Sequence, residues 1–216
     1  MSKVLAGITI SLDGYVTGPN DGPGAGLGEG GERLHYWVFG GPWTYEGGVR
    51  GTAAEPDRAY LDGMFDSAGA WIVGRTMHDV VNGWGDDPGF GVPVFVVTSR
   101  PHELVVKGDT TFEFVTGGIR EALDRATAAA GEKNVIVMGG ADVLRQFLAA
   151  GLVDELTLDD LAGGARRRQA PVRRLLPHRP RVRSDGCDRV AVRDAPALPR
   201  SLGLERMRCT RAAEPS

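Results

Sequence analysis

The feature that most constrains this 216-residue chain is a set of short, continuous apolar runs, each closed by glycine or polar residues and followed by a helix-like segment. Ala70-Trp71-Ile72-Val73 lies between Gly69 and Gly74, and Val92–Thr98 and Asn134–Met138 repeat the theme. Each is too short for an ordinary helix and apolar at successive positions, which suits a strand buried on both faces. Phe112–Val115 is a shorter candidate, and Glu155–Leu158 begins another strand. Lys3–Leu12 alternates apolar and small residues before Asp13-Gly14, which reads as a strand ending in a turn. Helices are expected at Thr76–Val81, Ile119–Ala130 and Ala141–Ala150, with a short one over Glu32–Phe39. Pro56 opens a further helix to Ser67, with Tyr60, Leu61, Met64 and Phe65 inward. Strands alternating with helices predict an α/β fold: a mostly parallel sheet covered on both sides.

Thirty-two glycines concentrate between these elements, notably in the loops 18–31 and 40–55. Two cysteines, Cys187 and Cys209, have no metal-ligand spacing and make no disulfide framework, so a reducing compartment and no metal are expected. The N-terminus runs straight into the first apolar segment, and no run approaches the roughly 20 apolar residues of a membrane span. A cytoplasmic protein without a membrane partner is the expectation.

Two strand-to-helix junctions carry the strongest chemical signal. One is Val73-Gly74-Arg75-Thr76-Met77; the other is Val137-Met138-Gly139-Gly140-Ala141-Asp142-Val143. Glycine there admits a phosphate close to backbone N–H groups that lack helical partners, and the helix dipole is positive at that end. Arg75 adds a charge-assisted contact and Thr76 a hydroxyl. A third strand ends in Thr98-Ser99-Arg100, a trio that suits a phosphate monoester on a ribose and favours NADPH over NADH. Each junction is also readable as a plain tight turn or a solvated loop. The spacing departs from G-x-G-x-x-G, which disfavours the common dinucleotide fold.

In chain order, Ile10-Ser11-Leu12-Asp13-Gly14-Tyr15-Val16, Gly74-Arg75-x-Met77, Val97-Thr98-Ser99-Arg100, Met138-Gly139-Gly140-Ala141 and Leu152-Val153-Asp154-Glu155-Leu156 together resemble the dihydrofolate-reductase-like family that includes the riboflavin-biosynthesis reductase domain. Gly30-Gly31-Glu32-Arg33-Leu34-His35-x-Trp37 is similar to an insertion in a bacterial branch of it. The resemblance covers residues 3 to about 162. It implies a three-layer αβα fold and hydride transfer from NADPH to a C=N or C=C of a pterin- or pyrimidine-like small molecule. It places Gly74, Arg75 and Thr76 on one side of the cofactor phosphates and Gly139, Gly140 and Ala141 on the other, with Met138 and Val143 flanking. Thr98, Ser99 and Arg100 would hold the 2′-phosphate. The Ser11–Gly14 turn would lie beside the nicotinamide, with Asp13 orienting or protonating substrate; Asp13 is equally readable as a turn cap. His35 and Trp37 are pocket-lining candidates, although Trp37 is equally a core residue, and His78 reads as surface.

Residues 163–216 break the pattern. Through residue 160 there are 11 basic and 23 acidic residues, whereas 161–216 hold 14 Arg, no Lys and 5 acids. Arg166-Arg167-Arg168, Arg173-Arg174 and scattered prolines give no clear period, so a poorly ordered tail is expected. Arginine without lysine is the bias of GC-rich coding sequence read out of frame. Reading the last two bases of each codon with the first of the next over Gly163–Leu175 permits Val-Val-Leu-Gly-Ala-Gly-Lys-Arg-Leu-Phe-Asp-Gly. That is close to the segment this family carries after its Leu-Thr-Leu strand. The division is therefore a reductase domain over 1–162 and an out-of-frame tail over 163–216, whose loss of the last strands would leave an open sheet edge; a homodimer is expected only where those strands are intact. Two other functions compete: a nucleotide-binding module without chemistry, and a nucleic-acid binder through the basic tail. The tail lacks interleaved aromatics, so no nucleic-acid partner is expected. Resequencing the coding region around Leu161–Gly163 is expected to restore one family-like frame; a single intact frame shared by homologous genes would contradict this.

Overall fold

A computed structural model describes residues 2–11, 14–44 and 51–161, together with the two-residue strands at 181–182, 189–190 and 192–193. The expected tail lies otherwise outside the described residues, as does Asp13. The elements are β1 (Val4–Ser11), α1 (Tyr36–Phe39), α2 (Asp57–Ser67), β2 (Ala68–Gly74), α3 (Arg75–Val80), β3 (Val94–Val97), β4 (Val105–Lys107), β5 (Thr110–Val115), α4 (Gly118–Ala130), β6 (Asn134–Gly139), α5 (Ala141–Ala149) and β7 (Glu155–Leu161), then β8 (Arg181–Val182), β9 (Arg189–Val190) and β10 (Val192–Arg193). The main sheet runs β4-β5-β3-β2-β6-β1-β7-β9, parallel from β5 to β7. β4 and β9 are the antiparallel edges.

Every residue of β2 is buried, which is why Ala70–Val73 reads as an uninterrupted apolar run. Alternate side chains go to opposite layers. Ala70 and Ile72 join Phe95, Val135 and Val137 under α4 and α5, where Ala122, Ala126, Leu144 and Phe147 pack. Trp71 and Val73 join Val94, Val96, Phe112, Phe114 and Ile136 on the other face, with Met64 of α2 and Met77 of α3 against them. These are three layers, αβα, as expected. No helix among the described residues is long and apolar enough to cross a membrane.

Three expectations are corrected. The short segment over 32–39 is a 3-10 turn, Gly31–His35, followed by one turn of α-helix. In the helix opened by Pro56, Tyr60, Leu61 and Met64 are half-buried, with Met64 against the core, but Phe65 is 41% exposed although its ring lies 5.0 Å from Trp71. A helix whose apolar side rests on an aromatic edge satisfies the same spacing as one sunk into a core. β4 was not anticipated, because three residues carry no readable period. The edge at β7, expected to be open, is paired over two residues by Arg189 and Val190.

The loop 18–31 is closed on itself: Gly18 N–H donates to Leu27 O at 2.7 Å and Glu29 N–H to Pro19 O at 2.8 Å. Gly28, at φ +69°, lies where a Cβ would come within 2.4 Å of Gly18 O, so only glycine fits there. At the other end of the core, Gly69 lets β2 touch the end of α4: a Cβ would fall 2.7 Å from both Ala130 Cα and Ala130 O. Gly69→Ala is expected to push α4 from the sheet and lower stability by about 1–3 kcal/mol in urea unfolding.

Candidate functional site

The sheet connections reverse between β2 and β6. From β2 the chain leaves through α3 toward β3 on one face; from β6 it leaves through α5 toward β7 on the other. Open α/β sheets hold ligands at the C-terminal ends of strands at such a point, because the diverging connections leave a crevice. Both glycine junctions are there. Gly74 precedes α3 and Gly140 precedes α5, and no side chain caps either helix. The first turn of α5 closes with Leu144 N–H donating to Gly140 O, which leaves the N–H groups of Ala141, Asp142 and Val143 outside the helical ladder. α3 has only six residues, so its end offers donors rather than a strong dipole.

The two junctions touch. A Cβ on Gly74 would sit 3.0 Å from Val143 Cγ2 and 3.5 Å from Gly140 N. Gly139 has φ +123°, the Gly139–Gly140 peptide is cis, and Met77 Sδ lies 3.7 Å from where a Gly139 Cβ would be. Val143 is buried and shapes the junction from beneath, while Met138 is half-buried. Asp142, whose carboxylate would oppose an anion, is turned along the helix toward Arg145 and Gln146.

The third corner is adjacent. Val97 is in register with Gly74, and Thr98 N–H donates to Val115 O. Thr98 Oγ1 accepts from Arg100 N–H at 3.0 Å, so the hydroxyl shapes the turn that carries Ser99 and Arg100, both exposed. Thr76 is exposed on α3. Thus the three predicted corners stand side by side along one sheet edge, in the order 98–100, 74–76, 139–141.

Arg75 and Arg100 share a carboxylate. Arg75 Nε donates to Asp79 Oδ1 at 2.7 Å, and Arg100 Nη2 is 3.5 Å from Asp79 Oδ2. His78 Nδ1 lies 3.1 Å from the same Oδ1. Burial alone would push the Asp79 carboxyl up, but hydrogen bonds from His78 and Arg75 and their charges outweigh it and hold it below its ordinary value. The Arg75 guanidinium lies over the Phe114 ring, 5.2 Å from its centroid.

On the β1 side, pairing of β1 with β6 stops at Ala6 and Val137, while β1 continues beside β7 to Ser11. Ser11 Oγ accepts from Tyr15 N–H at 2.9 Å, and Ser11 O accepts from Gly14 N–H, with Gly14 at φ +86°. Trp37 is half-buried rather than core, and its Nε1–H donates to Thr9 Oγ1 at 3.2 Å. Thr9 is in register with Asp159, and both are buried. Tyr60 reaches within 3.8 Å of the Gly7 Cβ position, and its ring stands 6.1 Å from Trp37. The sequence does not mark Thr9 or Asp159, and it marks Tyr60 only as an inward residue of its helix. The available signal was a hydroxyl and a carboxylate at positions of apolar strands that the sheet buries. His35, a pocket-lining candidate from the sequence, ends the 3-10 turn; burial pushes its imidazole down to about 4, and its Nδ1 has no hydrogen-bond partner among the described residues.

The family described as RibD C-terminal domain matches residues 2–159. A crystal structure of a protein provisionally named for riboflavin biosynthesis, from Shewanella sp. PV-4, superposes with a TM-score of 0.51 at 22% identity, covering 79% of this chain and 82% of that one. Dihydrofolate reductase from Enterococcus faecalis, complexed with NADP(H) and RAB-propyl, gives a TM-score of 0.42 at 16% identity, covering 73% and 70%. No curated protein matches.

The His35 environment has a pH signature. Above its unfolded value of 6.5 the imidazole is neutral in both states; below it the unfolded chain takes up a proton that folded His35 refuses until about 4. Stability contributed by keeping His35 neutral is therefore lost as pH falls through that window. The loss is expected to be on the order of 3 kcal/mol, measured by urea unfolding, and His35→Phe is expected to flatten that part of the profile.

Proposed function

Because the chain belongs to the RibD C-terminal domain family, we propose that it is an NADPH-dependent reductase acting on a pterin- or pyrimidine-like small molecule. The observation that carries this reading is the convergence of the three strand ends at the reversal between β2 and β6. A cradle that a Cβ would fill at Gly74, uncapped N–H groups at Ala141–Val143, and two guanidiniums beside it fit a pyrophosphate carrying an extra ribose phosphate.

Bound NADPH supplies the hydride, and the residues of this chain supply position. Gly74, Arg75 and Thr76 hold the phosphates from one side, and Gly139, Gly140 and Ala141 from the other, over a floor made by Met138 and Val143. Thr98, Ser99 and Arg100 hold the 2′-phosphate. Substrate occupies the notch where β1 parts from β6, bounded by the Ser11–Gly14 turn and Trp37. Thr9 fixes the Trp37 indole through its hydroxyl, so the ring keeps one posture beside the notch. Asp13 orients the substrate or delivers its proton.

Titration with NADPH, followed by nicotinamide fluorescence, is expected to saturate. Arg100→Ala is expected to weaken NADPH about tenfold or more while leaving NADH nearly unchanged. Dihydrofolate or an aminopyrimidine ribityl phosphate is expected to drive NADPH oxidation by the wild-type chain. Binding without oxidation of either would favour a nucleotide-binding module without chemistry; absence of binding would end both readings.

A further inference from the structure

Asp79 is the carboxylate on which two guanidiniums converge, Arg75 from the Gly74–Thr76 junction and Arg100 from the third corner. It projects from α3 one turn after Arg75, and its two oxygens face different partners: Oδ1 takes Arg75 Nε at 2.7 Å and His78 Nδ1 at 3.1 Å, and Oδ2 faces Arg100 Nη2 at 3.5 Å. Basic and aromatic groups lie nearby on the same side of α3 and β5. His102 stacks on Phe114 at 4.4 Å, Phe114 carries the Arg75 guanidinium, and Lys107 Nζ bonds the carbonyls of Asn82 and Gly83, next to His78.

We propose that Asp79 is a specificity-determining residue: a built-in anion that competes with the cofactor's 2′-phosphate for Arg75 and Arg100 and so moderates the preference for NADPH over NADH. The inference rests on the NADPH reading above. Two effects of Asp79 oppose each other. Its hydrogen bond aligns Arg75, which favours a phosphate; its charge lies between the guanidiniums and repels one. Arg75 has a second restraint, because its side chain is only 21% exposed and lies across Phe114. Arg100, at 71% exposed, meets the carboxylate at a looser distance and swings to a phosphate without losing packing. Alignment is therefore supplied twice and repulsion once, so charge decides the balance. A dianionic phosphate close to a carboxylate at a protein surface is a repulsion that ionic strength weakens.

Asparagine at this position keeps the acceptor for Arg75 Nε and removes the charge. The experiment measures dissociation constants of NADPH and NADH for wild type, Asp79→Asn and Asp79→Ser, by nicotinamide fluorescence at low and physiological salt. Asp79→Asn is expected to tighten NADPH about tenfold, to leave NADH within about twofold, and to lose part of that gain as salt rises. Asp79→Ser is expected to move NADPH in the same direction. Unchanged or weaker NADPH binding in both variants, with NADH binding retained, would overturn the proposal and leave Asp79 as a support for Arg75. Equal affinity for NADPH and NADH in wild type and in both variants would instead remove the 2′-phosphate reading itself.

Discussion

The contact between Gly74 and the Gly139–Gly140 turn is the constraint on which the rest of the site depends. β2 and β6 are neighbours in the sheet, but the chain leaves them on opposite faces, so their ends must pass within contact distance before separating. A Cβ at 74 would press on Val143 Cγ2 at 3.0 Å and rest against Gly140 N at 3.5 Å. Glycine at these positions therefore does two things together. It lets two strand ends close up over a buried core, and it leaves backbone N–H groups bare at the resulting crevice.

Beyond that contact, the site grades from backbone to charge. At the centre the groups are peptide donors held by strands buried on both faces, so their placement is as rigid as the core. Toward β3 the groups are guanidiniums, and their placement depends on weaker devices: the Thr98 hydroxyl shaping a turn, the Phe114 ring under Arg75, and a carboxylate shared between two arginines. Toward β1 the groups are aromatic and hydroxylic, with Trp37 Nε1–H donating to Thr9 Oγ1.

Much of this was legible in the residues. The double burial of β2 writes itself as an apolar run, and the glycine junctions and Thr98-Ser99-Arg100 read as phosphate corners because backbone access and charge are local properties of a sequence. What was not legible were pairings across the sheet. Thr9 and Asp159 are ordinary polar residues until β1 and β7 lie in register, and Tyr60 is one helical aromatic among several until α2 crosses Gly7. Phe65 shows the limit from the other side: its spacing is that of a core residue, yet α2 lies at the edge of the aromatic cluster and leaves it exposed.

The residues alone determined the class of fold and marked three strand ends with glycine or arginine, since burial on both faces and backbone access at glycine are set by neighbours along the chain. Strand order was the decision of the tertiary structure. It put 98–100, 74–76 and 139–141 side by side, brought Arg100 to the carboxylate that Arg75 already pairs with one turn along α3, and ended the pairing of β1 with β6 at Ala6. Those facts arise from which strands lie beside one another, and that is settled by packing two helical layers against one sheet.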